Sequence, residues 1–296
     1  SSLFYDYYKY LHQSVSNQPV ILKIPSITFS TFSKDTIGNQ MTIVVESWGA
    51  FADSLLQNRF QESLIHIFNK EGYNVTTGLT KYFGSTTAAD MRELTNSDGE
   101  YGYFINKKSN ERFKSIFNYK NEQGYETFAF HPFTGRMFSR SIWWKNLGPQ
   151  HIYFRDNYVL DHPLSQNKID EEAHFPSVKD EAFFDYINEK TKTSNRKFVY
   201  FLTVNSHLPY KHHPVEIHPD TAFLIKNLPI SEEATSQVTH IKNFIVYVAQ
   251  HLLSNHWDKV IIVGDHVPPF ATLRERNFYK IGKVPYLVIE RKQLTH

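Results

Sequence analysis

An aspartate and a histidine stand side by side in Gly264-Asp265-His266, directly after the apolar run Lys259 to Val263. Oxygen and nitrogen ligands adjacent at the end of a buried strand make this turn a candidate for holding a cation. Three other apolar runs end on polar groups in the same way. Met41 to Val45 meets Glu46, Glu126 to Phe130 meets His131, and Lys197 to Val204 meets Asn205-Ser206-His207. The carboxyl ends of parallel strands line the ligand crevice of open α/β sheets, so four such endings are expected to form one metal or phosphate site. Any one acid after a strand reads equally as a helix cap or turn residue; the conjunction of four carries the argument.

A carboxylate at Glu46, a hydroxyl at Thr86 and the Asp265-His266 pair make a set of four ligands for one divalent ion of the zinc or manganese kind. A hydroxyl belongs in such a set only when the cation lowers its pKa, which also turns a weak nucleophile into an effective one. A negatively charged phosphorus centre needs positive or donor groups on its oxygens, and His131, Arg140 and His207 are the candidates.

The elements that must position these groups follow from periodicity. Ser1 to Val20 carries apolar residues at helical spacing and reads as a lead-in helix from a membrane segment absent from this chain. Ile21 to Ile24 and Met41 to Val45 read as strands, and Asp53 to Gly72 as a helix with Leu55, Phe60, Leu64, Ile67 and Phe68 on one face. Thr80 to Phe83 is β-like, and Gly84 leads into a helix through Leu94 that opens with Ser85, Thr86 and Thr87. Helices are expected over Glu111 to Tyr119, Glu181 to Thr191 and Ser231 to Asn255, and a strand over Pro285 to Ile289. Arg155 to Pro176 reads as a long irregular stretch, a candidate substrate loop. His212 and His213 read as loop residues. The alternation of strand and helix indicates a single α/β domain over 1–296, a mostly parallel sheet with helices on both faces.

Composition narrows the function. The chain has 32 Lys and Arg against 30 Asp and Glu, scattered, so no field for nucleic acid is present. It has no cysteine, which removes disulfides, thiolate ligands and a formylglycine made from Cys. No apolar run approaches the roughly 20 residues needed to span a bilayer.

Val45-Glu46-Ser47-Trp48-Gly49, Gly84-Ser85-Thr86, Asn205-Ser206-His207-Leu208-Pro209-Tyr210 and Gly264-Asp265-His266 together resemble the sulfatase-like alkaline phosphatase superfamily. Within it the resemblance is nearest to lipoteichoic acid synthases and phosphoethanolamine transferases, over about Met41 to Glu290. It implies an alkaline phosphatase-like fold, one metal ion (zinc or manganese) on Glu46, Thr86, Asp265 and His266, and a Thr86 that becomes phosphorylated. Thr87 is adjacent; Thr86 is preferred because Asp90, four residues on, matches the spacing of that branch. His131, Arg140 and His207 match residues that hold the head group, with Phe138 standing where the synthase branch has Trp. The formylglycine sequence of true sulfatases is absent.

The implied activity is transfer of a phosphoethanolamine or phosphoglycerol head group from a phospholipid donor to a surface glycan or lipid-linked sugar. The implied setting is extracytoplasmic, anchored to the membrane through segments outside this chain. Water as the acceptor, giving a phosphodiesterase, and a glycan-binding module without turnover are the alternatives.

Overall fold

The protein is described by a computed structural model covering residues 23–110, 113–164, 169–170, 176–210 and 231–293. Among the described residues nine strands run in chain order: β1 Gln40–Val45, β2 Tyr73–Lys81, β3 Glu126–His131, β4 His151–Phe154, β5 Ile169–Asp170, β6 Ser177–Val178, β7 Lys197–Leu202, β8 Lys259–Gly264 and β9 Lys283–Arg291. Seven form one sheet in the order β2-β9-β8-β1-β7-β3-β4, and β5 pairs with β6. β8, β1, β7, β3 and β4 are mutually parallel, while β9 is antiparallel to both β8 and β2.

The central strands are buried on both faces, which is why they read as continuous apolar runs. Met41, Ile43, Val199, Phe201, Val260 and Ile262 point to one core. That layer contains the helices Ser54–Lys70, Asp180–Thr191 and Glu232–Leu252. Val44, Phe198, Tyr200, Ile261 and Val263 point to the other. There lie the helices Ile27–Phe32, Thr86–Thr95, Ile116–Glu122 and Arg140–Asn146. The α/β fold with helices on both faces is the one the alternation predicts.

Local chemistry sets the helix ends. The Asp53 side chain accepts from the Leu55 and Leu56 amides, and Ser231 accepts from Ala234. Three expectations need correction. Of Ile21 to Ile24 the described part is no strand; Lys23 makes one isolated bridge to Ser97. The helix expected from Glu111 is observed over Ile116–Glu122, because Ser115 and Asn118 form a capping box that fixes its start. The supposedly irregular stretch opens as the helix Arg155–Asp161, whose Asn157 side chain accepts from the Phe154 amide while Tyr158 is buried. The lead-in segment 1–20, His212 and His213 lie outside the described residues.

Candidate active site

The strand order brings the four polar endings together. β8, β1, β7 and β3 are neighbours, and their carboxyl ends present Asp265-His266, Glu46, Asn205-Ser206-His207 and His131 in that order across one crevice. A cavity of about 590 Å³ opens there, lined among others by Glu46, Thr86, His131, Arg140, His207 and His266. Six of the seven residues singled out in the sequence therefore line one space; Asp265, buried beneath it, is the seventh.

Gly264 makes the turn possible: a Cβ there would sit 2.0 Å from the Trp48 carbonyl oxygen, so β8 can pass the loop after β1 only with a glycine. The Ser47 amide donates to Asp265 Oδ1 at 2.7 Å and the His266 amide donates to the same atom at 2.5 Å. Both donors fix one carboxylate oxygen and leave Oδ2 facing the cluster, 3.2 Å from His266 Nε2 and without hydrogen-bond geometry. Ser47 holds a left-handed φ of 54° to place its amide there, and its hydroxyl donates to Glu46 Oε1 at 3.0 Å. Ser206 donates to the Glu46 carbonyl, and Thr203 accepts from the Glu46 amide.

The alcohol arrives from the other side. Gly84, with φ 67°, turns the chain after β2 so that Thr86 opens the helix Thr86–Thr95. Thr86 Oγ1 lies 3.1 Å from Glu46 Oε2 and 3.3 Å from His266 Nε2. Thr87 instead pairs with Ser85 at 3.2 Å in an exposed position. The Val267 carbonyl can only accept, so His266 Nδ1, 2.9 Å away, carries a proton, and Nε2 is the ring nitrogen turned to the cluster.

This donor set suits a divalent cation. Ligand atoms of Glu46, Asp265 and His266 all lie within 4.8 Å of one another. Burial and then the Glu46 charge push the Asp265 carboxyl well above the usual range. Burial pulls His266 down, but the Asp265 and Glu46 carboxylates outweigh it and raise the imidazole. Two buried carboxylates with an unsatisfied oxygen between them are unfavourable until positive charge is added.

His131 donates from Nδ1 to the Leu202 carbonyl at 3.0 Å. Burial, and next the nearby Arg140, push its pKa down to about 3. At that value it is neutral, with Nε2 an acceptor. Arg140 supplies the charge: Nε bonds Asp90 Oδ2 at 3.1 Å, and Nη2 is buried without a partner. His207 lines the cavity from the end of β7, where Asp180 accepts from the Val204 and Asn205 amides and clamps that end.

Sequence reasoning missed Arg92. It donates to the Gly264 and Lys81 carbonyls at 2.8 and 3.2 Å and pairs with Glu93, fastening the Thr86 helix to the ends of β8 and β2. Only the Arg92-Glu93 doublet inside an apolar helix hinted at it. Arg276, Met137 and Tyr82 also line the cavity and were not anticipated.

The sequence model of the Sulfatase family matches residues 79–288. No curated protein sequence matches the chain. Among solved structures it is similar to the lipoteichoic acid synthase LtaP from Listeria monocytogenes, with TM-score 0.61 and 16% identity over 87% of this chain and 66% of that one. It is also similar to the phosphoglycerol transferase GacH of Streptococcus pyogenes, solved with sn-glycerol-1-phosphate, with TM-score 0.53 and 17% identity over 88% of this chain and 71% of that one. A third is the C-terminal periplasmic domain of EcEptC from Escherichia coli, with TM-score 0.52 and 13% identity over 88% of this chain and 74% of that one. At these identities the likeness establishes the fold, and the chain spans less than two thirds of the LtaP chain's length.

Proposed function

The chain belongs to the sulfatase family, and we propose that it is an extracytoplasmic catalytic domain that transfers a phosphoglycerol or phosphoethanolamine head group through Thr86. The observation that carries this reading is the position of Thr86 Oγ1, 3.1 Å from Glu46 Oε2 and 3.3 Å from His266 Nε2, on the wall of a cavity that Arg140 also lines. Thr86 loses its proton to the acceptors around it, and its oxygen attacks the phosphorus of a phospholipid diester. The phosphorus–oxygen bond to diacylglycerol breaks, the released alkoxide takes up a proton, and the head group stays on Thr86 as a phosphodiester. An acceptor hydroxyl of a surface glycan or lipid-linked sugar then attacks the same phosphorus, and Thr86 regains its proton.

A zinc or manganese ion held by Glu46, Asp265 and His266 with Thr86 would lower the alcohol's pKa and draw charge from the phosphoryl oxygens. Arg140 places a guanidinium with a spare N–H donor against the non-bridging oxygens. Neutral His131 accepts a hydrogen bond from the head group itself, a hydroxyl of glycerol or the ammonium of ethanolamine. Asp265 is held by two backbone amides and His266 by a carbonyl, so the site is set before substrate arrives.

The test is incubation with phosphatidylglycerol or phosphatidylethanolamine, with and without a glycan acceptor, followed by mass spectrometry of the tryptic peptide Tyr82 to Arg92. A head-group phosphate adduct on Thr86 that acceptor removes is the expected result. Release of head-group phosphate with no labelled glycan would make water the acceptor, and no adduct and no turnover would leave a binding module.

A further inference from the structure

Four large apolar side chains stand exposed on the two connections that help line the cavity. Phe138 and Ile142, 41% and 48% exposed, lie on the connection from β3 to β4, and Leu273 and Ile281, 74% and 68% exposed, lie on that from β8 to β9. β1 and β7 lie between β8 and β3 in the sheet, so the two connections flank the crevice. Phe138 and Ile281 line the cavity as well as meeting solvent. Phe138 is held outward by force: it and Ser139 both have left-handed φ values, 54° and 55°. An aromatic residue adopts that conformation only where surrounding contacts impose it. Here the Phe138 carbonyl accepts from Trp143 Nε1 at 3.0 Å and the Arg140 guanidinium lies 5.3 Å from its ring centroid.

The net charge on these connections is positive. Residues 132–150 and 265–282 hold six Lys and Arg against two acids, the buried Asp265 and Glu275, although the chain as a whole carries only +2. Five of the six are exposed: Arg136, Lys145, Arg274, Arg276 and Lys280. Apolar tips among exposed cations match an anionic bilayer, whose head groups take the charge while the apolar groups enter the interface. A second copy of the chain would set this excess of positive charge against itself.

We propose that these two connections form a membrane-docking surface that seats the mouth of the cavity on an anionic phospholipid bilayer. The proposal rests on the reading of a phospholipid as donor, and it explains how a head group reaches Thr86 without its lipid leaving the membrane.

Cosedimentation with phosphatidylcholine vesicles, with and without phosphatidylglycerol, tests it, using two double variants at exposed positions outside the cavity lining: Ile142→Ser with Leu273→Ser, and Arg274→Glu with Lys280→Glu. The wild type should bind the anionic vesicles and lose binding at high salt. Each double variant should bind at least about ten-fold more weakly while hydrolysing or transferring from a soluble aryl phosphodiester at the wild-type rate. Failure of the wild type to bind, binding by both variants as tight as the wild type's, or a wild-type dimer that the variants abolish without any vesicle binding would each overturn the docking surface, even with soluble turnover intact. Vesicle binding that depends on these residues, with no turnover of any diester, would uphold the surface and sink the transferase reading.

Discussion

Arg140 Nε meets Asp90 Oδ2 at 3.1 Å with both side chains almost wholly buried, and this pair ties the helix that begins at Thr86 to the connection after β3. Tyr200 donates to the other Asp90 oxygen at 2.6 Å. Burial raises the Asp90 carboxyl pKa and the Arg140 charge opposes that rise. Removing one partner leaves a buried charge uncompensated, so Asp90→Ala should cost about 3–5 kcal/mol of stability in urea unfolding. Asp90→Asn keeps an acceptor for Arg140 and should cost less. An unchanged midpoint in Asp90→Ala would mean that the pair does not hold the two elements together.

Thr86→Ala deletes the proposed nucleophile while leaving Glu46, Asp265 and His266 in place. Turnover should fall at least about a thousand-fold with little change in thermal midpoint. Thr87→Ala, which loses only the exposed contact to Ser85, should stay within a few-fold of wild type. Comparable losses in both variants would remove the distinction that the 3.1 Å contact of Thr86 draws.

The crevice was legible because parallel strands buried on both faces must be apolar throughout, so the first polar residue after each marks where it emerges. Glu46, His131, His207 and Asp265-His266 follow from that rule once the strands are neighbours. The supports were not legible. Arg92, Asp90 and Glu93 are charged residues in a ten-residue helix, a pattern that ordinarily marks a solvent face, yet all three are buried. Apart from the adjacent Arg92–Glu93 pair, their partners are backbone groups and side chains 11 to 172 residues away in sequence, which no local pattern encodes. The neutrality of His131 was hidden for the same reason, since it depends on the Leu202 carbonyl and on burial.

Chelation should separate the ligands from their neighbours. A cation that binds only the folded protein stabilises it by about 2.7 kcal/mol at a hundred-fold excess over its dissociation constant. Wild-type protein treated with chelator should therefore melt at a lower temperature and recover on adding zinc or manganese. Glu46→Gln and Asp265→Asn should carry less metal by atomic emission and respond less to both treatments. Wild-type metal content in both variants would place the ion elsewhere.

His131 should contribute to the pH dependence of stability. Its folded pKa is about 3 against 6.5 for the ordinary side chain. Between those values the unfolded chain binds the proton and the folded one does not. Stability from this residue is complete above pH 6.5 and is lost progressively as pH falls towards 3. At one pKa unit per 1.36 kcal/mol, lowering pH from 6.5 to 4.5 should remove about 2–3 kcal/mol on this account. His131→Gln cannot titrate, so although less stable at neutral pH it should lose less on acidification than the wild type does, by that difference. Urea unfolding of both proteins at the two pH values measures it, with every other titratable group common to the pair. Identical acid slopes would show that His131 titrates like a solvated imidazole.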